Sequence, residues 1–295
     1  MILLALTLQT IGGTKYVYSQ VHMGVNFTLT LYARDEKVAQ SAAVKAFARI
    51  QKLDAIMSDY QVRSELNQLN QSAFQHDTQI SPDLYRVVDK SLVLSKQTGG
   101  LFDITIRPLV QIWRTTRKTG EIASASEIEK AREMVGFKNV RLIPKTRSIR
   151  FLKDGITLDL GGIGKGYACE EAIKEVSKSG VASAMIEGGG DLYCSKAPPQ
   201  SKGWVISIEG TQDKVTLVDR AMSTSGSTVQ FVEVGGKKYS HIIDPRTAMG
   251  LVTRRQVTVI GKDGAKVDAL ATAFCIEPKL ISRFHDVKVM INSRD

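Results

Sequence analysis

The segment 158–167, LDLGGIGKGY, places four glycines and one lysine directly after an apolar run. It does not match the P-loop pattern, because Gly164 and Lys165 are followed by Gly166 rather than by Ser or Thr. It does not match the dinucleotide pattern G-x-G-x-x-G either, because Tyr167 stands where the third glycine is needed. A predicted strand still leads through a glycine turn to the positive end of a predicted helix, which favours a phosphate group there. The alternative from these residues alone is a tight turn with a solvated lysine.

Oxygen-bearing side chains occur later in the chain at spacings that suit a cation or a phosphate. Asp268 and Thr272 are four residues apart and share one face of a predicted helix. A carboxylate and a hydroxyl suit Mg²⁺, which often shares its coordination with substrate phosphates, although such pairs also occur on solvated helices. His241 lies in a strand-like apolar pattern, where a buried core histidine is the alternative to a site residue. The hydroxyl-rich segment 223–227 either donates to a phosphate or only connects two strands.

Hydrophobic periodicity and turn signals predict the elements that position these residues. The predicted helices are 36–57, one from Pro82 to a stop at Gly99–Gly100, a short one opened by the capping-box spacing of Ser126 and Glu129, 167–179 and 263–275. The predicted strands are 25–33, 139–143, 148–152, 156–160, 182–186, 229–234, 237–244, 256–260 and 287–291. Hairpins mixed with helices, rather than a regular βαβ alternation, predict an α+β fold with mixed or antiparallel sheets and packed helices.

The composition is that of a globular protein with a substantial core. The 295 residues are 43% hydrophobic and 24% charged, and the net charge of +10 favours anionic partners. Basic residues are scattered without interleaved aromatics, so nucleic acid is not expected as the primary ligand. Three separated cysteines and four histidines indicate neither a zinc site nor a disulfide framework. Residues 2–8 are apolar and suit either a secretion signal or a first strand, although no basic residue precedes them.

Eight segments, taken in order, resemble the ApbE family of FAD:protein FMN transferases. They are Met23–Gly24, 57–70, 98–113, 159–168, 187–191, 223–226, 239–247 and 267–274. The resemblance leaves residues 1–22 as an N-terminal segment and gives 23–295 as the transferase domain. It implies an ApbE-like, T-fold-like fold in one two-lobed domain. The chain departs from the usual family pattern at Val25, Gly164, Ser227 and Ala248.

The resemblance implies an Mg²⁺-dependent enzyme that uses FAD as its substrate. The FMN half would pass to a threonine hydroxyl of an acceptor flavoprotein, and AMP would leave. Acceptors in the family are subunits of membrane redox complexes and related domains that carry a threonine motif. A location at the cell envelope, after export, is therefore the expectation, with the cytoplasm as the alternative.

The same resemblance assigns the site residues. The FAD-site positions are Met23, Tyr60, Phe102, Asp103, Asp159, Lys165, Ser225 and Ile243. The metal ligands are Asp268, Thr272 and a backbone carbonyl in the glycine loop, that of Gly162. Lys165 would offset charge on the attacked phosphate. A base should accept the threonine proton, and His241 and Asp159 both fit that role.

Two further functions fit the same residues. An FAD pyrophosphatase would use water in place of threonine and would give FMN and AMP. A flavin-binding protein without catalysis would hold FAD and release no AMP. The three functions differ in what happens to an acceptor protein and to the adenine half of FAD.

Overall fold

The computed structural model describes residues 9–10, 13–226 and 231–293. The α-helices of this part of the chain are α1 (Glu36–Met57), α2 (Glu65–Ser72), α3 (Pro82–Gln97), α4 (Arg107–Thr119), α5 (Ala125–Glu133), α6 (Gly164–Lys178) and α7 (Gly264–Ile276). Short 3₁₀ helices cover Ile104–Ile106, Phe137–Asn139 and Pro278–Arg283. None of the helices described has both the length and the apolar character needed to cross a bilayer. The apolar segment 2–8 lies outside the described residues, so its two alternatives and the expected export stay predictions.

The largest sheet among the described residues contains eight strands. In chain order the strands are β1 (Gln9–Thr10), β2 (Gly13–His22), β3 (Val25–Ala33), β4 (Thr78–Gln79), β5 (Val140–Ile143), β6 (Ser148–Phe151), β7 (Ser183–Gly188), β8 (Asp191–Cys194), β9 (Trp204–Ser207), β10 (Lys214–Leu217), β11 (Arg220–Gly226), β12 (Phe231–Val234), β13 (Lys237–Ser240), β14 (Ile243–Asp244), β15 (Met249–Gly250), β16 (Arg255–Gly261) and β17 (Lys288–Ser293). The large sheet has the order β1-β2-β3-β7-β8-β11-β16-β17, and all of its neighbours run antiparallel.

Smaller sheets surround this large one. Strands β4, β6 and β5 form a three-stranded sheet, and β9–β10, β12–β13 and β14–β15 form antiparallel pairs. Two-residue turns at Met23–Gly24 and Gly189–Gly190 connect neighbouring strands of the large sheet. All four turn residues have positive φ, between 49° and 90°, as type I′ hairpin turns require.

Helices α1, α6 and α7 pack on the large sheet, and the hydrophobic core lies between these helices and the sheet. The buried face of α1 repeats every three or four residues through Ala39, Ala42, Ala46 and Ile50, as an amphipathic helix requires. Together with α6, this face covers apolar residues of β3 and β7 in one hydrophobic cluster. Helix α7 packs against α6 and against strands β11 and β16.

Two glycines allow helices α6 and α7 to approach closely. A Cβ atom at Gly166 would clash with the backbone carbonyl oxygen of Gly264, and a Cβ atom at Gly264 would clash with that of Gly166. The contact places Asp268 of α7 at the first turn of α6, where the Gly166 amide donates to Asp268 Oδ2 at 3.1 Å. Backbone packing without side chains therefore brings the glycine bend and the predicted metal-binding helix together.

The α+β prediction is confirmed, with helices packed on antiparallel sheets. Helix α1 and strand β3 have the predicted bounds, and α3 ends just before the predicted stop. The hairpin predicted at Gly235–Gly236 joins β12 and β13, while residues 229–230 of its first strand lie outside the described residues. Helix α6 begins at Gly164 instead of at residue 167, so Lys165 lies in its first turn.

Two local predictions are wrong. Residues 156–160 form no strand, and the backbone partners of Leu158 and Asp159 lie outside any strand: the Asp159 amide donates to the Ile104 carbonyl at 2.8 Å. Asn70 Oδ1 accepts from the Leu158 amide at 2.7 Å, and Asn70 Nδ2 donates to the Leu158 carbonyl at 3.0 Å. The capping box lies two residues earlier than predicted, at Ser124 and Glu127, since each side chain there bonds to the backbone of the other.

Candidate active site

Lys165 lies between two buried carboxylates in the first turn of α6. Its Nζ atom is 2.8 Å from Asp191 Oδ2 and 4.0 Å from Asp268 Oδ2, and both aspartates are 2% exposed. Burial lowers the pKa of Lys165, but the charges of the two carboxylates outweigh burial and hold this pKa above its usual value. The site therefore contains a fixed positive charge.

The protein compensates the negative charge of Asp191 and Asp268 only in part. Burial, followed by the negative charge of Asp191, raises the pKa of Asp268 to about 7, although Lys165 and two backbone amides oppose the shift. Asp191 Oδ1 is buried and has no hydrogen-bond partner among the described residues. Such a group is costly unless another ligand satisfies it. The two aspartates therefore carry more negative charge than Lys165 matches, and a further cation fits this cluster.

The backbone amides at the start of α6 already donate hydrogen bonds to other groups of the protein. The Gly164 amide donates to the Leu160 carbonyl at 2.8 Å, and the Tyr167 amide donates to the Ile163 carbonyl at 3.2 Å. The amides of Lys165 and Gly166 donate to Asp268. The expectation that this helix start offers its amides to a phosphate is therefore wrong for these four groups. The Lys165 side chain remains as the cation of this turn.

The glycine bend brings the predicted metal ligands to one face of α7. Thr272 lies one turn after Asp268 on this helix, and Ser225 Oγ of β11 is 3.3 Å from Thr272 Oγ1. A Cβ atom on Gly162 would lie 3.5 Å from Thr272 Oγ1, so the bend contacts the same face. Carboxylate, hydroxyl and carbonyl oxygens are the donors that suit Mg²⁺. Across the described part of the chain no group of three His, Cys, Asp or Glu side chains could hold a metal ion, so a cation at this place would need backbone and hydroxyl oxygens as well.

Phe102 and Asp103 have different positions relative to the bend. The ring atom Cε2 of Phe102 would lie 3.5 Å from a Cβ atom on Gly162, which places Phe102 beside the predicted metal ligands. Asp103 accepts from the amide and hydroxyl of Thr105 at 2.8 and 2.6 Å and from the Phe137 amide at 2.8 Å. Burial raises its pKa. Both Asp103 oxygens therefore bind the protein itself, and this carboxylate fixes the loop that carries Phe102.

Asp159 belongs to a second charged cluster, with residues of α4 and of the loop after α1. Its Oδ2 is 3.5 Å from Arg114 Nη2, and its Oδ1 accepts from the Gly161 amide at 2.7 Å. Arg114 also pairs with Asp59, and its guanidinium lies 4.5 Å from the centre of the Tyr60 ring. Burial, followed by the charge of Asp59, raises the pKa of Asp159. Tyr60 is 78% exposed, so this cluster presents an aromatic ring to solvent.

The remaining predicted residues lie at turns and short strands. The Met23 amide donates to Asp54 Oδ2 at 3.2 Å, and its side chain packs against both large hydrophobic clusters. Ile243 is buried in β14. His241 lies in an exposed bend between β13 and β14, so the alternative of a buried core histidine is wrong.

Asp191 and Arg114 are site residues that the sequence analysis did not assign. Asp191 had a usable signal, because three glycines before an acid predict a tight turn that presents a carboxylate. No sequence signal indicated Arg114, since its partners Asp59 and Asp159 are distant in sequence. Only the folded chain brings these three residues together.

Two solved structures of related proteins share this fold. The flavinyl transferase ApbE of Pseudomonas stutzeri aligns with a TM-score of 0.87 at 23% identity, over 98% of this chain and 94% of that one. The ApbE protein of Thermotoga maritima aligns with a TM-score of 0.85 at 24% identity, over 95% of this chain and 97% of that one. At these identities the likeness concerns the fold alone, and it confirms the predicted ApbE-like fold.

The family model named ApbE matches residues 23–290, and the chain belongs to the ApbE family. One relative, the FAD:protein FMN transferase of Klebsiella pneumoniae (strain 342), is 25% identical over 277 residues, which are 90% of this chain and 79% of the relative. Another of the same name, from Vibrio cholerae serotype O1, is 27% identical over 289 residues, which are 92% of this chain and 85% of the relative. These matches confirm the predicted family and the predicted class of enzyme, a transferase.

Proposed function

We propose that this protein is an Mg²⁺-dependent FAD:protein FMN transferase. It takes FAD as substrate, transfers FMN to a threonine hydroxyl of an acceptor flavoprotein and releases AMP. The observation that carries the proposal is the buried cluster of Lys165, Asp191 and Asp268 at the glycine bend, which combines a fixed cation with under-compensated carboxylates. The names of the relatives support the same reaction. The acceptors are flavoprotein subunits of redox complexes that carry a threonine motif.

The reaction exchanges the phosphoanhydride bond between the two halves of FAD for a phosphodiester bond to threonine. The threonine oxygen forms a bond to the phosphorus of the FMN half. The bond from that phosphorus to the oxygen bridging the two phosphates breaks, and AMP leaves with this oxygen. The threonine proton passes to a base. Such a reaction requires the protein mainly to position its reactants and to stabilise charge.

Lys165 and the face of α7 meet this requirement at the diphosphate. The Lys165 ammonium, held by Asp191, stabilises the charge that develops on the attacked phosphate, and one such preorganised donor is typically worth about 10²- to 10³-fold in rate. Asp268, Thr272 and the carbonyl of Gly162 would hold Mg²⁺, which when bound would neutralise diphosphate charge. Ser225, hydrogen-bonded to Thr272, orients that hydroxyl.

The aromatic side chains near the bend are assigned to the ring systems of FAD. Phe102 lies beside Gly162, and Tyr60 presents an exposed ring that Arg114 supports from one side. Asp103 acts on the flavin site indirectly, because its carboxylate fixes the backbone next to Phe102. Met23 and Ile243 are assigned to the FAD site on the resemblance to the family.

His241 is the base that we propose for the threonine proton. It lies in an exposed bend, where the hydroxyl of a macromolecular acceptor arrives from solvent. Asp159 is the second candidate, but Arg114 and the Gly161 amide already bind its carboxylate. We expect His241→Asn to lower kcat by about 10²- to 10⁴-fold. We expect Asp159→Asn to raise the KM for FAD more than it lowers kcat, and the reverse pattern would assign the base to Asp159.

The decisive experiment is the mass of an acceptor subunit after incubation with FAD and this protein. With Mg²⁺ the acceptor should gain the mass of one FMN less one water, and AMP should appear in equal amount. With EDTA, or with the Asp268→Ala variant, the acceptor mass should not change and no AMP should appear. FMN and AMP without a change in acceptor mass would identify an FAD pyrophosphatase. FAD binding with no AMP at all would identify a flavin-binding protein.

A further inference from the structure

Asp191 lies at a position of the large sheet that has a neighbouring strand on each side. It is the first residue of β8, where it pairs with Gly188 of β7 on one side and with Ser223 of β11 on the other. The tight turn at Gly189–Gly190 precedes it directly. Neighbouring strands on both sides fix the direction of its carboxylate, and rigid elements of this kind hold functional groups accurately.

The same turn defines the path of the Lys165 side chain. A Cβ atom on Gly189 would lie 3.2 Å from Lys165 Cε and 3.3 Å from Lys165 Cδ, so the aliphatic stem crosses the turn at contact distance. A side chain at residue 189 would push this stem away. The ammonium at the end of the stem then meets Asp191 Oδ2 at 2.8 Å.

The two carboxylates around Lys165 have different partners. Asp191 makes the direct ion pair with the ammonium, whereas Asp268 lies 4.0 Å from it and binds the amides of Lys165 and Gly166. A lysine ammonium is a compact charge on a flexible stem. Without the charge of Asp191, the nearest carboxylate that this ammonium can pair with is Asp268, and a paired Asp268 is a poorer ligand for a cation.

We infer that Asp191 is a positioning residue, which holds Lys165 away from Asp268 and so keeps Asp268 available to a divalent cation. The inference rests on the proposed function, because it assumes that Asp268 binds the metal. It also explains why a carboxylate that is 2% exposed is maintained next to a second buried carboxylate, an arrangement that is unfavourable for folding alone.

Binding of Mn²⁺ to the full-length protein without FAD tests this inference directly. The free Mn²⁺ signal in electron paramagnetic resonance reports affinity and needs no turnover. We expect Asp191→Asn, which keeps the shape of the side chain and removes its charge, to weaken Mn²⁺ binding about tenfold or more, as loss of a residue behind a metal ligand typically does. Circular dichroism of each variant confirms that it is folded.

A double-mutant cycle with Lys165→Met separates positioning from other roles. If Asp191 acts through Lys165, then Asp191→Asn should change Mn²⁺ affinity less than about twofold once residue 165 is methionine. An equal loss of affinity with lysine or methionine at residue 165 would show that Asp191 binds the cation itself or only supports the fold, and it would overturn the inference. Unchanged affinity in the single variant would overturn it as well.

Glu171→Gln is the matched control on the same helix. Glu171 is also a buried carboxylate, paired with Arg49 and Lys174, but it lies outside the site. The control should lose folding stability and keep the Mn²⁺ affinity of the wild type. A wild-type protein that binds no Mn²⁺ would overturn the magnesium part of the proposed function together with the inference. Normal wild-type binding with an unaltered Asp191→Asn variant would overturn the inference alone.

Discussion

Helix α6 carries two buried ion clusters that differ in how completely their charges are matched. At its first turn, Lys165 faces Asp191 and Asp268, and one Asp191 oxygen has no partner among the residues described. Further along the helix, Arg49 of α1 donates to both oxygens of Asp83 at 2.7 Å and also binds Glu171. Every carboxylate of this second cluster, which we call the Arg49 cluster, has a cation within hydrogen-bond distance.

The pKa shifts of the carboxylates Asp83 and Glu171 in the Arg49 cluster are opposite in sign to that of Asp268 in the Lys165 cluster. Hydrogen bonds from Arg49 lower the pKa of Asp83. Burial raises the pKa of Glu171, but hydrogen bonds from Lys174 and Arg49 outweigh burial and lower it overall. Burial and the charge of Asp191 raise the pKa of Asp268. The Arg49 cluster therefore stabilises the fold, whereas the Lys165 cluster leaves carboxylate charge under-compensated, which is typical of functional sites.

The largest expected effect is that of substituting Asp268, which should lower activity and raise stability at the same time. We expect Asp268→Asn to lower kcat for FMN transfer by about 10³-fold, because the metal ligand and its charge are lost. The same variant should be more stable than the wild type in EDTA. The folded-state pKa of about 7 exceeds the ordinary value of 3.8, so the ionised carboxylate destabilises the fold fully above pH 7 and not at all below pH 3.8.

Urea unfolding in EDTA at pH 8 and at pH 5 measures this second effect. The gain in the free energy of unfolding should be larger at pH 8 and should shrink as the pH falls. Saturating Mg²⁺ should stabilise the wild type and leave the variant unchanged. A variant less stable than the wild type at pH 8 would mean that Lys165 compensates Asp268 fully, and the contrast between the two clusters would be lost.

The Arg49 cluster should respond in the opposite way. We expect Arg49→Met to lower the free energy of unfolding by about 3–5 kcal/mol, because two buried carboxylates lose their shared partner. Activity per folded molecule should stay within about twofold of the wild type, since none of the proposed site residues belongs to the cluster. Thermal unfolding and the acceptor mass assay measure the two quantities.

Arg86→Met is the matched control for this substitution. Arg86 also reaches the cluster, through the Tyr167 hydroxyl at 2.9 Å, but its side chain is 52% exposed. Exposed ion pairs contribute about 0–1 kcal/mol, so the control should be nearly as stable as the wild type. If Arg49→Met abolished FMN transfer in folded protein, the division between a structural and a functional cluster would be wrong.

The same two clusters show which parts of the molecule could be predicted from the sequence. Helix α1 and strand β3 were predicted with their observed bounds, because both follow from the periodicity of neighbouring residues. The start of α6 was not. Its N-cap residue is Ile163, whose side chain makes no capping hydrogen bond, so the usual signal is missing. Two of the first-turn amides, those of Lys165 and Gly166, donate to Asp268, about a hundred residues later in the chain.

Contacts between distant segments also explain the missing strand at residues 156–160 and the ion pairs that were not predicted. Residues 156–160 have a strand-like pattern, but Leu158 bonds to the Asn70 side chain and Asp159 to the Ile104 carbonyl, which no local pattern reveals. The ion pairs of Asp191 with Lys165 and of Arg114 with Asp159 join separate elements. The glycine bend and the Asp268–Thr272 pair could be recognised because each is a short motif within one segment.

The smallest expected effect is the pH dependence of the Arg49 cluster. Asp83 has a folded-state pKa below its ordinary value of 3.8, so its ionised form stabilises the fold. This contribution is fully present above pH 3.8 and is lost as the pH falls through the lower folded-state value. The stability difference between the wild type and Asp83→Asn should therefore be constant from pH 7 to about pH 5 and should shrink under more acidic conditions. Urea unfolding at several pH values tests this. A difference that grew on acidification would give Asp83 the behaviour of Asp268, and the two clusters would then no longer differ in sign.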